Sequence, residues 1–145
     1  MKPLPHQYDV RLTGGPAGYA TLSAAGFPDL RSAPPPDYDG PGDAWSPEHL
    51  LLAAVDVCFL FTLRAVARAS RMEFTALELS SEGTLDRVDG VTRFTEIVLR
   101  PRLTLGPGGD RARALWVLEK SRKACLVTAS LSAPVRVEPD IAADS

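Results

Sequence analysis

The rhythm of hydrophobic and polar residues changes several times along the chain, and each rhythm predicts an element. Tyr8 to Thr13 and Tyr19 to Ala24 read as two short strands around a turn at Gly14-Gly15-Pro16. From Gly26 to Ala44 the pattern dissolves into Pro, Gly and Asp, including Pro34-Pro35-Pro36. Proline neither donates to a sheet nor continues a helix, so this stretch predicts a loop, and loops of such length often carry function. Ser46-Pro47-Glu48 then reads as a helix start: an N-cap, a proline at the first helical position and an acid in the first turn. The helix runs to about Ser70. Its first half, Leu50 to Phe61, is apolar on every side apart from Asp56, which predicts burial all round. A small domain has little material to surround such a helix, which points to a second subunit. With Arg64, Arg68 and Arg71 the second half becomes amphipathic and turns one side to solvent.

Further on, Leu77, Leu79 and Ser81 alternate with polar neighbours, as do Ile97, Leu99, Leu103 and Leu105. Val88-Asp89-Gly90 supplies a turn between them, so residues 75–105 predict a long hairpin. Pro101 interrupts the second arm and implies an edge or a bulge. Asp110 caps a second helix whose apolar side carries Ala112, Leu115, Leu118 and, near its end, Cys125. Pro134 to Glu138 reads as a final strand. Strands, helix, hairpin, helix, strand make an α+β fold, here as one domain over residues 1–145.

Composition narrows the function classes. The chain has 145 residues, 45% of them apolar and 23% charged, enough for one domain with a core. A formal charge of -2 gives no basic footprint for nucleic acid. The apolar run from Leu50 to Leu63 contains Asp56 and reads as too short to span a bilayer, and the N-terminus lacks the apolar core of a signal peptide. Two cysteines do not form a secreted disulfide framework, so the expected location is cytoplasmic.

The candidate chemistry centres on those cysteines. Cys58 and Cys125 fall on the buried faces of the two predicted helices, where packing would let the sulfurs meet for a dithiol redox cycle. Two unrelated core cysteines fit the same pattern, because free cysteine is commonly buried, and on composition alone this second reading is favoured. Cys58, Cys125, His6 and His49 show none of the paired spacings of zinc sites. Glu48 precedes Cys58 by ten positions, about 15 Å along a helix, so it would serve Cys58 only across a twofold interface; taken alone, it is ordinary charge complementarity at a helix start. Asp56 is costly in an apolar helix unless paired or protonated, and an arginine partner (Arg11, Arg31, Arg93 or Arg100) is the expected explanation. The turn Gly14 to Gly18 precedes no helix and is no phosphate loop.

The run Trp45-Ser46-Pro47-Glu48-His49-Leu50-Leu51-Leu52-Ala53-Ala54, followed by Cys58-Phe59, resembles the central-helix motif of the OsmC/Ohr family. Cys125-Leu126-Val127-Thr128 resembles the context of that family's second cysteine, at a similar separation. Thr13-Gly14-Gly15 is similar to the N-terminal turn of the organic hydroperoxide resistance branch, and the likeness extends from about Tyr8 to Val137.

The resemblance implies an intertwined homodimer with active sites at the subunit interface and no metal or prosthetic group. It makes Cys58 the peroxidatic thiol that attacks an organic or lipid hydroperoxide, and Cys125 the resolving thiol. A dithiol such as a lipoylated protein would be the reductant. Glu48 matches the acid that orients a catalytic arginine. The two family positions for that arginine hold Pro16 and Tyr38 here, which leaves Arg31 as the nearest substitute. A second function class uses the same scaffold without catalysis, as a small-ligand binder or redox sensor.

Overall fold

A computed structural model describes residues 1–143 of the chain. The described residues form two compact units, Met1–Leu51 and the segment from Leu52 onward.

The first unit contains a three-stranded antiparallel sheet: β1 (Arg11–Thr13), β2 (Ala20–Ser23) and β3 (Leu30–Ser32), in that order. The first two match the expected strands in shortened form. β3 lies inside the stretch expected to be a loop, paired through Thr21 with Arg31 and Leu22 with Leu30. Only three residues long, it shows no alternation for a sequence pattern to catch. A single 3-10 turn over Pro36–Tyr38 follows, and Ser32 bridges to Trp45.

The helix α1 (Pro47–Ala69) starts where the capping signal places it. The Ser46 hydroxyl accepts the His49 amide at 3.1 Å and contacts His49 Nδ1 at 2.6 Å. A single chain supplies only part of the expected burial on all sides; the expectation assigns the rest to a second subunit. Within one chain Val55, Phe59, Leu63 and Ala67 are buried, whereas Val57 is 52% and Phe61 55% exposed. At a spacing of four residues the buried set makes one stripe, and a single chain covers only that stripe. By length and composition α1 is also apolar enough to cross a membrane, so shortness is no ground against it. Its buried stripe nonetheless belongs to a packed core within the second unit.

That core rests on a long hairpin. β4 (Phe74–Val88) pairs antiparallel with β5 (Val91–Leu105) around Asp89-Gly90. Both turn residues have positive φ (51° and 79°), the geometry a two-residue hairpin turn requires. Gly83 permits close approach: a Cβ there would stand 2.8 Å from the Phe94 ring. On its other edge β5 pairs in parallel with β6 (Val135–Val137) and then β7 (Asp140–Ala143). Pro101 therefore lies in a central strand, paired with Leu79, and neither at an edge nor at one of the hairpin's two irregularities. The Ile97 amide and the Leu99 carbonyl bond toward the β6 side, so the missing donor of Pro101 faces the break between β6 and β7. The final strand is β7, one step beyond the expected one.

The helix α2 (Arg111–Ala124) is capped by Asp110, whose carboxylate accepts the Ala112 and Arg113 amides at 2.9 and 3.2 Å. Its buried face is Ala114, Val117, Leu118 and Ser121; Ala112, expected inside, is exposed. Cys125 ends α2 and begins the one-turn helix α3 (Leu126–Ala129). Phe59 and Leu63 of α1, Ile97, Leu99 and Leu103 of β5, and Val117 and Leu118 of α2 form one cluster. Full burial of each such side chain contributes about 1.5–3 kcal/mol.

Candidate active site

The cluster that buries α1 against α2 also positions the thiols. Cys58 precedes the buried Phe59 on α1 and is half-buried, whereas Cys125, at the α2–α3 junction, is 1% exposed. The two side chains hydrogen-bond to each other. Of the two arrangements the sequence leaves open, composition alone favours unrelated core cysteines; the structure has the two thiols next to each other, the arrangement a dithiol cycle requires.

The two thiols are polarised in opposite directions. Burial acts most strongly on Cys58 and pushes its pKa up, but hydrogen bonds outweigh it. These come from the Val127 and Leu126 amides, the Cys125 thiol and the Thr62 hydroxyl, and the net shift is below the ordinary thiol range. Thr62 Oγ1 lies 3.9 Å from the Cys58 sulfur, one helical turn on. No cationic side chain among the described residues contributes to that lowering. Cys125 is pushed up, first by burial and then by its bond and charge repulsion from Cys58, against the pull of the Thr128 amide and hydroxyl. Cys58 is thus the sulfur that more readily becomes a thiolate, the form in which sulfur is nucleophilic. Cys125 keeps its proton and donates it toward Cys58.

Asp56 differs from expectation. Among the described residues it has no arginine partner; its carboxyl accepts from Ser81 of β4, and Oδ1 is buried without a partner there. Burial raises its pKa, only partly offset by Ser81. Arg100, one of the expected partners, is taken by Glu138 at 3.1 Å and Glu82 at 3.8 Å.

Arg31 and Glu48 belong to the first unit. Arg31 sits on β3 rather than in a loop. Its guanidinium lies 4.3 Å from the centre of the Tyr19 ring and donates to the Asp43 carbonyl at 3.1 Å. Tyr19 in turn donates to both Asp43 carboxylate oxygens, at 2.8 and 2.9 Å. Glu48 lines a cavity of about 470 Å³ whose walls include Leu12, Leu22, Ala33, Pro34 and Leu50. Its Oε2 is buried with no hydrogen-bond partner among the described residues. Among the described residues no cluster of His, Cys, Asp and Glu is arranged to hold a metal.

Sequence reasoning missed Thr62, Ser81 and the Leu126 and Val127 amides. Thr62 carries a signal, its spacing of four from Cys58 on one helix. The others depend on chain crossings that no local pattern encodes.

The family model described as OsmC-like protein matches residues 40–140. This chain belongs to the OsmC-like family. A Bacillus subtilis protein, uncharacterized protein YmaD, is 29% identical over 107 residues, covering 72% of this chain and 71% of its own. The organic hydroperoxide resistance protein of Xanthomonas axonopodis pv. citri is 29% identical over 117 residues and 78% of each chain. Peroxiredoxin OsmC of Escherichia coli is 26% identical over 93 residues and 64% of each. Among solved structures, an OsmC-like protein of unknown function from Vibrio cholerae superposes with a TM-score of 0.86 at 16% identity, covering 93% of this chain and 99% of that one. An organic hydroperoxide resistance protein OsmC from Legionella pneumophila gives a TM-score of 0.75 at 20% identity, over 97% and 99%. The OsmC-like fold expected from the sequence is the fold observed.

Proposed function

We propose that this OsmC-like protein is a cysteine-based peroxidase that reduces organic or lipid hydroperoxides. The observation that carries the reading is the hydrogen-bonded pair Cys58–Cys125, with the first thiol pulled toward ionisation and the second held protonated. The Cys58 thiolate attacks the terminal oxygen of ROOH; the O–O bond breaks, RO⁻ takes a proton and leaves as alcohol, and Cys58 becomes a sulfenic acid. The Cys125 sulfur then attacks the Cys58 sulfur, and hydroxide departs as water with the Cys125 proton. An external dithiol, such as a lipoylated protein, reduces the resulting disulfide. The names of the Xanthomonas and Escherichia coli relatives agree with this chemistry.

Arg31 is the proposed cation for the peroxide and thiolate, oriented by Tyr19 and Asp43, and Glu48 is the proposed acid that holds a cationic group in place. The exposed Val57 and Phe61 favour a homodimer that covers the bare side of α1. Two free thiols suit a reducing cytoplasm.

One observation favours a second reading, a non-catalytic ligand binder. The cavity beside Glu48 is lined mostly by apolar side chains, with Ser32 and Tyr38 also in its wall, a setting for a small apolar ligand. Intact-mass and peptide mapping after one equivalent of cumene hydroperoxide separates the two. The peroxidase reading expects loss of two hydrogens and a Cys58–Cys125 crosslink. A protein that keeps both thiols reduced under excess peroxide supports the binder instead.

A further inference from the structure

The C-terminal end of α1 carries an arrangement that the cysteine chemistry does not use. Arg64 and Arg68 stand one turn apart on one face of α1, and Arg71 follows just past the helix end. They line a cleft of about 690 Å³ together with Glu73 and the apolar side chains of Met72 and Phe74. That volume lies within the range of about 300–1,000 Å³ usual for small-molecule sites. Three guanidiniums against one carboxylate leave the cleft positive. Among the described residues none of the three is ion-paired; Arg64 lies 5.1 Å from the centre of the Phe61 ring. The helix dipole accounts for a cation in the last turn, at Arg68, but not for Arg64 a turn earlier.

A second observation is the backbone at Arg71. The Met72 amide bonds to the Ala67 carbonyl at 2.9 Å, and the Arg71 amide to the Arg68 carbonyl at 3.2 Å. This pair of bonds closes the helix in a Schellman motif, with Arg71 at the left-handed position, φ 54°. Glycine occupies that position at least cost, and an L-residue there carries strain of about 1–2 kcal/mol. Arginine stands where its backbone is unfavourable, and its side chain lines the cleft wall. Strain kept at a ligand-facing position is a pointer to function.

We propose that this cleft binds a small organic anion, a carboxylate or phosphate monoester on a short apolar chain. The guanidiniums take the anionic head by charge-assisted hydrogen bonds, and Met72 and Phe74 cover the chain. Neither cysteine lines the cleft, so the site is separate from the proposed peroxidase chemistry.

Isothermal titration of the full chain with octanoate and with octyl phosphate tests this, with acetate as the head alone. Binding of either octyl probe, weaker for acetate and weakened by added salt, is expected; the tighter of the two identifies the head group. R64A/R68A should lose at least about tenfold in affinity. R71G should lose affinity while its melting temperature rises by a few degrees, because glycine relieves the backbone strain there. The C58S/C125S variant should bind as the unmodified protein does, which separates this result from the fate of the peroxidase reading. No binding of either octyl probe at millimolar concentration, or binding unchanged in R64A/R68A and R71G, overturns the proposal.

Discussion

The Cys125 thiol donates a hydrogen bond to the sulfur of Cys58, and that one contact lowers the pKa of Cys58 while raising that of Cys125. The buried second thiol thereby helps to ionise the first, in keeping with the resolving role proposed for it.

Removing the donor should therefore change two readouts. In C125A the pH midpoint for alkylation of Cys58 should move upward, since a hydrogen bond to its thiolate is lost. The sulfenic acid formed with cumene hydroperoxide should also persist and be trapped by dimedone at Cys58. Iodoacetamide rates across pH and mass spectrometry of the dimedone adduct check both. An unmoved midpoint would show that the thiol contact contributes nothing to Cys58.

Asp56 gives a stability prediction with a definite sign. Its folded-state pKa is raised by burial, so the neutral carboxyl is favoured in the folded protein and the charged form is penalised. The associated stability is fully present below the ordinary carboxylate pKa, about 3.9, and is lost as pH rises through the raised folded value. Asp56→Asn should stabilise the protein by about 1 kcal/mol at neutral pH, with the gain vanishing near pH 3. Urea denaturation at the two pH values measures it.

How far the sequence reaches is clear from particular elements. Ser46-Pro47-Glu48 marks the start of α1 because capping is local chemistry, and Asp110 marks α2 for the same reason. The hairpin is legible because alternation and an Asp-Gly turn agree. β3 and β7 are not, being three and four residues long and defined by their partners. The candidate site divides similarly. Cys58, Cys125 and Glu48 stand in a motif, whereas the Ser81 bond to Asp56 and the amides reaching Cys58 arise from long-range packing. Asp56 was expected to find an arginine because charge pairing is the usual remedy for burial; the structure gives it a hydroxyl and a raised pKa instead.

Arg31 and Glu48 are tested by steady-state kinetics. If Arg31 is the cation that stabilises the peroxide transition state, R31A should lower kcat/KM for cumene hydroperoxide by at least about tenfold, and E48A similarly, with little change in melting temperature. R31A at full activity would remove Arg31 from the mechanism and leave its pairing with Tyr19 and Asp43 as its role.

The bare face of α1 predicts association. Phe61→Glu should put a charge on the exposed apolar face, so sedimentation velocity should report a dimer for the unmodified chain and a monomer for F61E. A monomeric unmodified chain would contradict the proposed dimer.

The most direct measurement is consumption of cumene hydroperoxide with a dithiol reductant, comparing the unmodified protein with Cys58→Ser. The account predicts turnover in the first and its loss in the second, with fold retained by circular dichroism. Equal consumption in both, or none in either while Cys58 stays reduced under excess peroxide, would contradict it.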